Sequence, residues 1–120
     1  MKNIRYMQQC TWNWIVNTFG FDTSETRLKG FRFLEEAVEL VESLGLDREQ
    51  CHTIVDYVFD RNAPGEPMQE IGGVMMTLAA CATANEMDIE TAWRDELSRC
   101  TLKSEEIKAK DALKPEKVKA

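Results

Sequence analysis

The sequence predicts an all-α fold, a bundle of four or five helices. No segment shows sustained period-2 alternation. Apolar residues recur at helical spacing through almost the whole chain, and Gly and Pro fall only at the points that separate those stretches. At 120 residues the chain makes one domain, small enough that a partner chain can help complete its core.

The first helix is expected over Asn3 to Phe19, with Ile4, Met7, Trp14, Ile15 and Phe19 near one face and Gly20 as its stop. After a connection from Phe21 to Ser24, a second helix begins near Glu25 or Thr26 and ends at Gly45. Stepping about 100° per residue places Phe31, Leu34, Val38, Val41 and Leu44 on one arc and Arg32, Glu35, Glu36, Glu39 and Glu42 on the other. Asp47 with Gln50 three residues on reads as a capping box opening a third helix through Phe59. Asn62 to Gly65 form a loop, and Pro67 suits the first turn of a fourth helix running to about Glu86. Asp88 caps a fifth, from Ile89 to about Ala109, with Ile89, Trp93, Leu97, Cys100 and Ile107 inward. Residues 1–110 are thus one helical domain, and residues 111–120 are read as a charged tail broken at Pro115.

The net charge of −6 argues against a protein that coats nucleic acid, because phosphate backbones demand surplus Lys and Arg. It leaves a nucleotide ligand open, since carboxylates hold phosphates through a divalent cation. Cys10, Cys51, Cys81 and Cys100 match no zinc or redox spacing and read as small, buried hydrophobes. No stretch reaches transmembrane length and no signal-type apolar run opens the chain, so a cytoplasmic location away from membranes is expected. His52 has no nucleophile motif around it and reads as a surface or capping residue, while Trp12, Trp14 and Phe19 read as core or interface packing.

The chemistry concentrates in acids. Glu36 and Glu39 are three apart on the second helix and neighbour each other on its surface, with Glu35 and Glu42 beside them. On the fourth helix no charged residue occurs from Ile71 to Asn85, so that helix is expected to be largely buried, and Glu70 sits at its start. A buried carboxylate there needs a proton, a cation or a metal, the alternative being an exposed first-turn acid. If the second and fourth helices pack together, Glu36, Glu39 and Glu70 converge on an all-oxygen site suited to Mg²⁺ or Mn²⁺ rather than Zn²⁺.

These residues carry a family resemblance. RFLEEAVELVESLG, Arg32 to Gly45, resembles the first motif of the MazG-like all-α nucleoside triphosphate pyrophosphohydrolases, E-E-x-x-E followed later by E-x-x-D, and GEPMQEIGGVMMTLAACA, Gly65 to Ala82, resembles the helix bearing the second. The resemblance spans residues 26–110 in helix order. It implies a bundle completed by dimerisation or tetramerisation, and cleavage of an NTP or dNTP to the monophosphate and pyrophosphate. Glu36, Glu39 and Glu70 are assigned to metal, with Glu35 orienting or deprotonating the attacking water or serving as a further ligand. Arg99 and Lys103, four apart, are within reach of phosphate oxygens in this reading. The chain departs from the pattern where the final Asp falls at Gly73. Three alternatives stand: Glu66 replaces it, water or a second chain fills the position, or the site binds metal weakly and catalysis is lost.

Overall fold

The computed structural model describes residues 3–21, 23–61 and 63–115. Among the described residues six α-helices follow in order: α1 (Ile4–Phe19), α2 (Lys29–Ser43), α3 (Arg48–Phe59), α4 (Pro67–Ala84), α5 (Ile89–Leu102) and α6 (Ser104–Ala112), with a 3₁₀ helix over Thr23–Leu28 before α2. No strand occurs among the described residues, so the all-α expectation holds.

Local chemistry sets most boundaries. The Asn3 side chain accepts from the Tyr6 N–H at 2.9 Å to open α1, and Gly20 closes it at φ 77°. Asp47 and Gln50 form the reciprocal capping box of α3, at 2.8 and 2.9 Å. Asp88 caps α5 by accepting from Thr91 N–H at 2.8 Å. Two helix ends share one wrapped turn. At the end of α2 the Leu46 N–H reaches Val41 C=O at 3.0 Å around Gly45, and at the end of α4 the Met87 N–H reaches Ala82 C=O at 2.8 Å around Glu86. Gly45 takes its left-handed conformation (φ 103°) without a Cβ penalty, whereas Glu86 holds φ 57° with one. Glu86→Gly is therefore expected to stabilise the protein by about 1 kcal/mol, visible as a higher midpoint in thermal or urea unfolding. A lower midpoint would mean that the Glu86 side chain contributes more than its backbone strain costs.

Two expected boundaries move. The second helix begins as a 3₁₀ turn and becomes α-helical only at Lys29. The fifth does not run to Ala109 but breaks at Lys103 (φ −115°, ψ 26°). Thr101 and Ser104 around the break donate to the carbonyls of Leu97, Cys100 and Thr101, competition that bends helices. The inward face survives the break, since Ile89, Trp93, Leu97, Cys100 and Ile107 are all half-buried.

Two tryptophans fasten this C-terminal pair to α1. The Trp93 indole N–H donates to Thr11 Oγ1, and the Trp14 indole N–H to Ser104 Oγ, both at 2.9 Å. Met7, on the expected face of α1, is buried, while Ile4 is not. Trp14 also meets Phe19 edge-on at 5.6 Å, and Trp12 meets Phe21 at 4.8 Å.

The other half of the chain behaves differently. Neither α3 nor α4 packs extensively on another helix. The apolar arcs of α2 and α3 stay largely exposed, Phe31, Leu34, Val38, Ile54 and Val55 among them. The expected burial of α4 is not met within one chain: of its residues only Ala82 is buried. Periodicity identifies an apolar face without identifying what covers it. The molecule is accordingly loose, with a radius of gyration of 15.7 Å against about 13.6 Å for a compact domain of this length. All four cysteines are free and half-buried rather than fully buried. No described helix is long and apolar enough to cross a membrane.

Candidate metal centre

The acidic centre is built on α2. Just over one turn of helix brings Glu35, Glu36 and Glu39 together so that one carboxylate oxygen from each lies within 4.8 Å of the others. Arg32, one turn earlier, pairs with Glu35 at 2.8 Å and with Glu36 at 2.9 Å. From the far end of the chain Lys114 Nζ approaches Glu35 Oε1 at 3.4 Å. The tail assigned to residues 111–120 therefore does not begin where charge density suggested: α6 runs through Ala112 and Lys114 is half-buried against α2. Residues 116–120 of that tail lie outside the described residues.

Environment drives Glu35 and Glu39 apart. Burial pushes the Glu35 carboxyl up, but hydrogen bonding to Arg32 and the charges of Arg32 and Lys114 outweigh it and hold the group below the usual carboxylate range. Glu39 is shifted upward, first by partial desolvation and then by the charge of Glu36 and the proximity of Glu35. Glu35 Oε2 is itself buried with no hydrogen-bond partner among the described residues.

Beside Glu36 a groove of about 540 Å³ opens between α2, α4 and α5. Leu40, Met75, Leu78, Ala82, Ile89 and Trp93 make its walls apolar, and Glu36 and Glu96 mark its polar edge. Arg99 is clamped by Glu96 in a two-pronged pair, both contacts at 2.7 Å, which shifts its pKa upward. The Glu36 charge adds to that shift, so Arg99 lies within the field of the acidic centre. Lys103 is exposed at the α5–α6 break.

The acids of α4 take other positions. Neither Glu66 nor Glu70 belongs to the close-set carboxylate group. Glu66 caps α4, its Oε2 accepting from the Gln69 N–H at 3.0 Å. Glu70 is exposed, and its carboxylate folds back over Gly65 so closely that a Cβ there would collide with it. The expected convergence of Glu70 with Glu36 and Glu39 is thus absent within one chain, because α4 does not pack extensively on α2. Lys114 and the Glu96 clamp were the contributors that sequence reading missed. Lys114 is 79 residues from its partner and carries no local signal. Glu96 and Arg99, three apart, fit the helical rule for ion pairs. Comparison with protein-family profiles, curated proteins and solved structures finds no match for this chain.

Proposed function

We propose that the chain is a cytoplasmic, metal-dependent nucleoside triphosphate pyrophosphohydrolase of the MazG-like type, acting as a homodimer or homotetramer. The observation that carries the reading is Glu35 Oε2. A buried carboxylate oxygen without a hydrogen-bond partner among the described residues costs about 1–3 kcal/mol, and two more carboxylates stand beside it. Such a set, oxygen-only and without His or thiolate, fits Mg²⁺ or Mn²⁺. A bound cation supplies phosphate charge neutralisation and a more acidic water.

The chain's own residues do the rest. Glu36 and Glu39 hold the cation, and Glu35, kept ionised by Arg32 and Lys114, accepts a hydrogen bond from the attacking water and orients it. Glu70 joins only if α4 closes toward α2. The groove is of the size of small-ligand pockets, about 300–1,000 Å³, and its apolar walls beside Glu36 suit a nucleobase. Arg99 serves a phosphate by exchanging it for Glu96. The test is a panel of NTPs and dNTPs with Mg²⁺ or Mn²⁺. Monophosphate and pyrophosphate are the expected products, and diphosphate with inorganic phosphate, or no turnover, overturns the reading.

A second reading is favoured by Gly73 and by the engagement of Glu66 as a cap: a nucleotide-binding or regulatory protein with weakened catalysis. A Cβ at Gly73 would meet nothing within 4 Å beyond its chain neighbours and its own helix backbone, so Gly73→Asp starts without a clash. By calorimetry, Glu66→Gln is expected to leave Mg²⁺ affinity within about twofold while weakening the start of α4 by up to ~1 kcal/mol. A tenfold loss of affinity would instead show that Glu66 leaves its cap for the ion. Turnover appearing only in Gly73→Asp would establish the weakened-catalysis reading.

A further inference from the structure

Burial is inverted at the end of α6. Leu113 is 87% exposed, whereas the side chain of Lys114 beside it is 29% exposed and lies against Glu35. Lysines are seldom drawn out of water without a partner, so it is the Glu35 carboxylate that draws this one in. α6 ends at Ala112 and Pro115 bars its continuation, which leaves Lys114 on a short turn whose movement does not unwind the helix. Two cations share one oxygen at the contact. Arg32 Nη1 lies 2.8 Å from Glu35 Oε1, and Lys114 Nζ lies 3.4 Å from the same atom. Arg32 is anchored a second time, by Glu36 at 2.9 Å, so Lys114 is the more weakly held of the two.

We propose that Lys114 is a built-in competitor at the acidic centre: a divalent cation held by Glu36 and Glu39 displaces its ammonium from neighbouring Glu35 and frees the end of α6 from α2. The inference rests on the metal-site reading above. Its basis is charge. With Glu35, Glu36 and Glu39 ionised, Arg32 and Lys114 together leave the centre one negative charge. Without Lys114 the centre carries two, the charge that a divalent cation neutralises. One oxygen of each carboxylate lies within 4.8 Å of the others, so a cation among them stands close to the lysine and repels it. Before the ion arrives, Lys114 and Arg32 keep Glu35 ionised; afterwards Arg32 and the ion do so. Metal occupancy is thereby linked to the position of the C-terminal segment, and by reciprocity whatever pins Lys114 weakens metal binding.

Calorimetric titration of the full chain with MgCl₂ at constant ionic strength tests the competition. Lys114→Gln is expected to bind Mg²⁺ about three- to fivefold more tightly than the parent, the worth of one partly exposed ion pair. Lys114→Arg keeps the charge and should bind no more tightly than the parent. Lys108→Gln removes an equal charge from an exposed position on α6 and should shift affinity by less than about 1.5-fold. A second measurement needs no substitution. The amide protons of Leu113 and Lys114, bonded to the Lys110 and Asp111 carbonyls at 3.1 and 3.0 Å, should exchange faster in the parent at saturating Mg²⁺. Exchange there unaffected by bound Mg²⁺ overturns the inference and leaves the metal-site reading intact, as does equal or weaker binding by Lys114→Gln. Absence of Mg²⁺ binding in both parent and variant overturns the metal-site reading, and the inference with it.

Discussion

Glu39→Gln is expected to abolish metal-dependent turnover and, in the absence of metal, to raise the melting temperature slightly. The two effects have one cause. Glu39 stands against Glu36 and Glu35 on the same helix, and its carboxyl is shifted upward by partial desolvation and by their charges. Like-charge neighbours on a helix cost a few tenths of a kcal/mol each. A carboxyl whose pKa is raised by folding binds its proton more tightly in the folded state, so the stability it contributes is fully present below the ordinary glutamate pKa and is lost as pH rises through the raised one. The glutamine variant has no such titration. Its advantage over the parent should therefore be absent in acid and appear as pH rises above the ordinary glutamate range. On the proposed reading, adding Mg²⁺ is expected to reverse the order, since a bound cation would turn the crowded carboxylates into ligands and stabilise the parent in proportion to occupancy. Loss of one ligand charge at a phosphate-binding ion should cost at least about a hundredfold in turnover. Melting curves with and without Mg²⁺, set beside pyrophosphate release, test both halves. A variant with parental turnover would remove Glu39 from the metal centre.

The difference between what was readable and what was not follows the range of the interactions. Caps are decided within four residues, which is why Asp47 with Gln50, and Asp88, were legible and lie where expected. The Glu35, Glu36, Glu39 group was legible for the same reason, being a property of one helix surface. The break at Lys103 was harder, because the apolar spacing continues straight across it and only the Thr101 and Ser104 hydroxyls mark the bend. Long-range pairings left no trace. Nothing near Lys114 announces Glu35, and nothing in Glu70 reveals whether α4 closes on α2 or leaves its carboxylate over Gly65. The apolar arcs were read correctly as arcs, but Leu34, Val38 and Ile54 are exposed because burial is decided by what packs on a face, and one chain does not supply it.

Trp93→Ala is expected to be the most destabilising single change in the α1–α5–α6 half, by about 2–3 kcal/mol, below the 3–5 kcal/mol of a fully buried tryptophan because the residue is only half-buried. At roughly 4 °C per kcal/mol for a chain of this size, the melting temperature should fall by about 10 °C. Trp93 does two things at once. Its ring forms part of the groove wall beside Ile89 and Ala92, and its indole N–H ties α5 to Thr11 on α1. Trp93→Phe separates them, keeping most of the ring and losing the hydrogen bond, so it should cost about 1 kcal/mol. Because α5 also carries Glu96 and Arg99 along the same groove, loosening its attachment should raise the KM for a nucleoside triphosphate in the alanine variant more than in the phenylalanine variant. Trp12→Ala is the control: Trp12 is more exposed and is not part of the groove lining, so it should move KM little. Urea unfolding of the three variants beside their steady-state kinetics decides the matter. A Trp93→Ala protein as stable as its parent would mean that the α1–α5 junction is held by something other than this side chain.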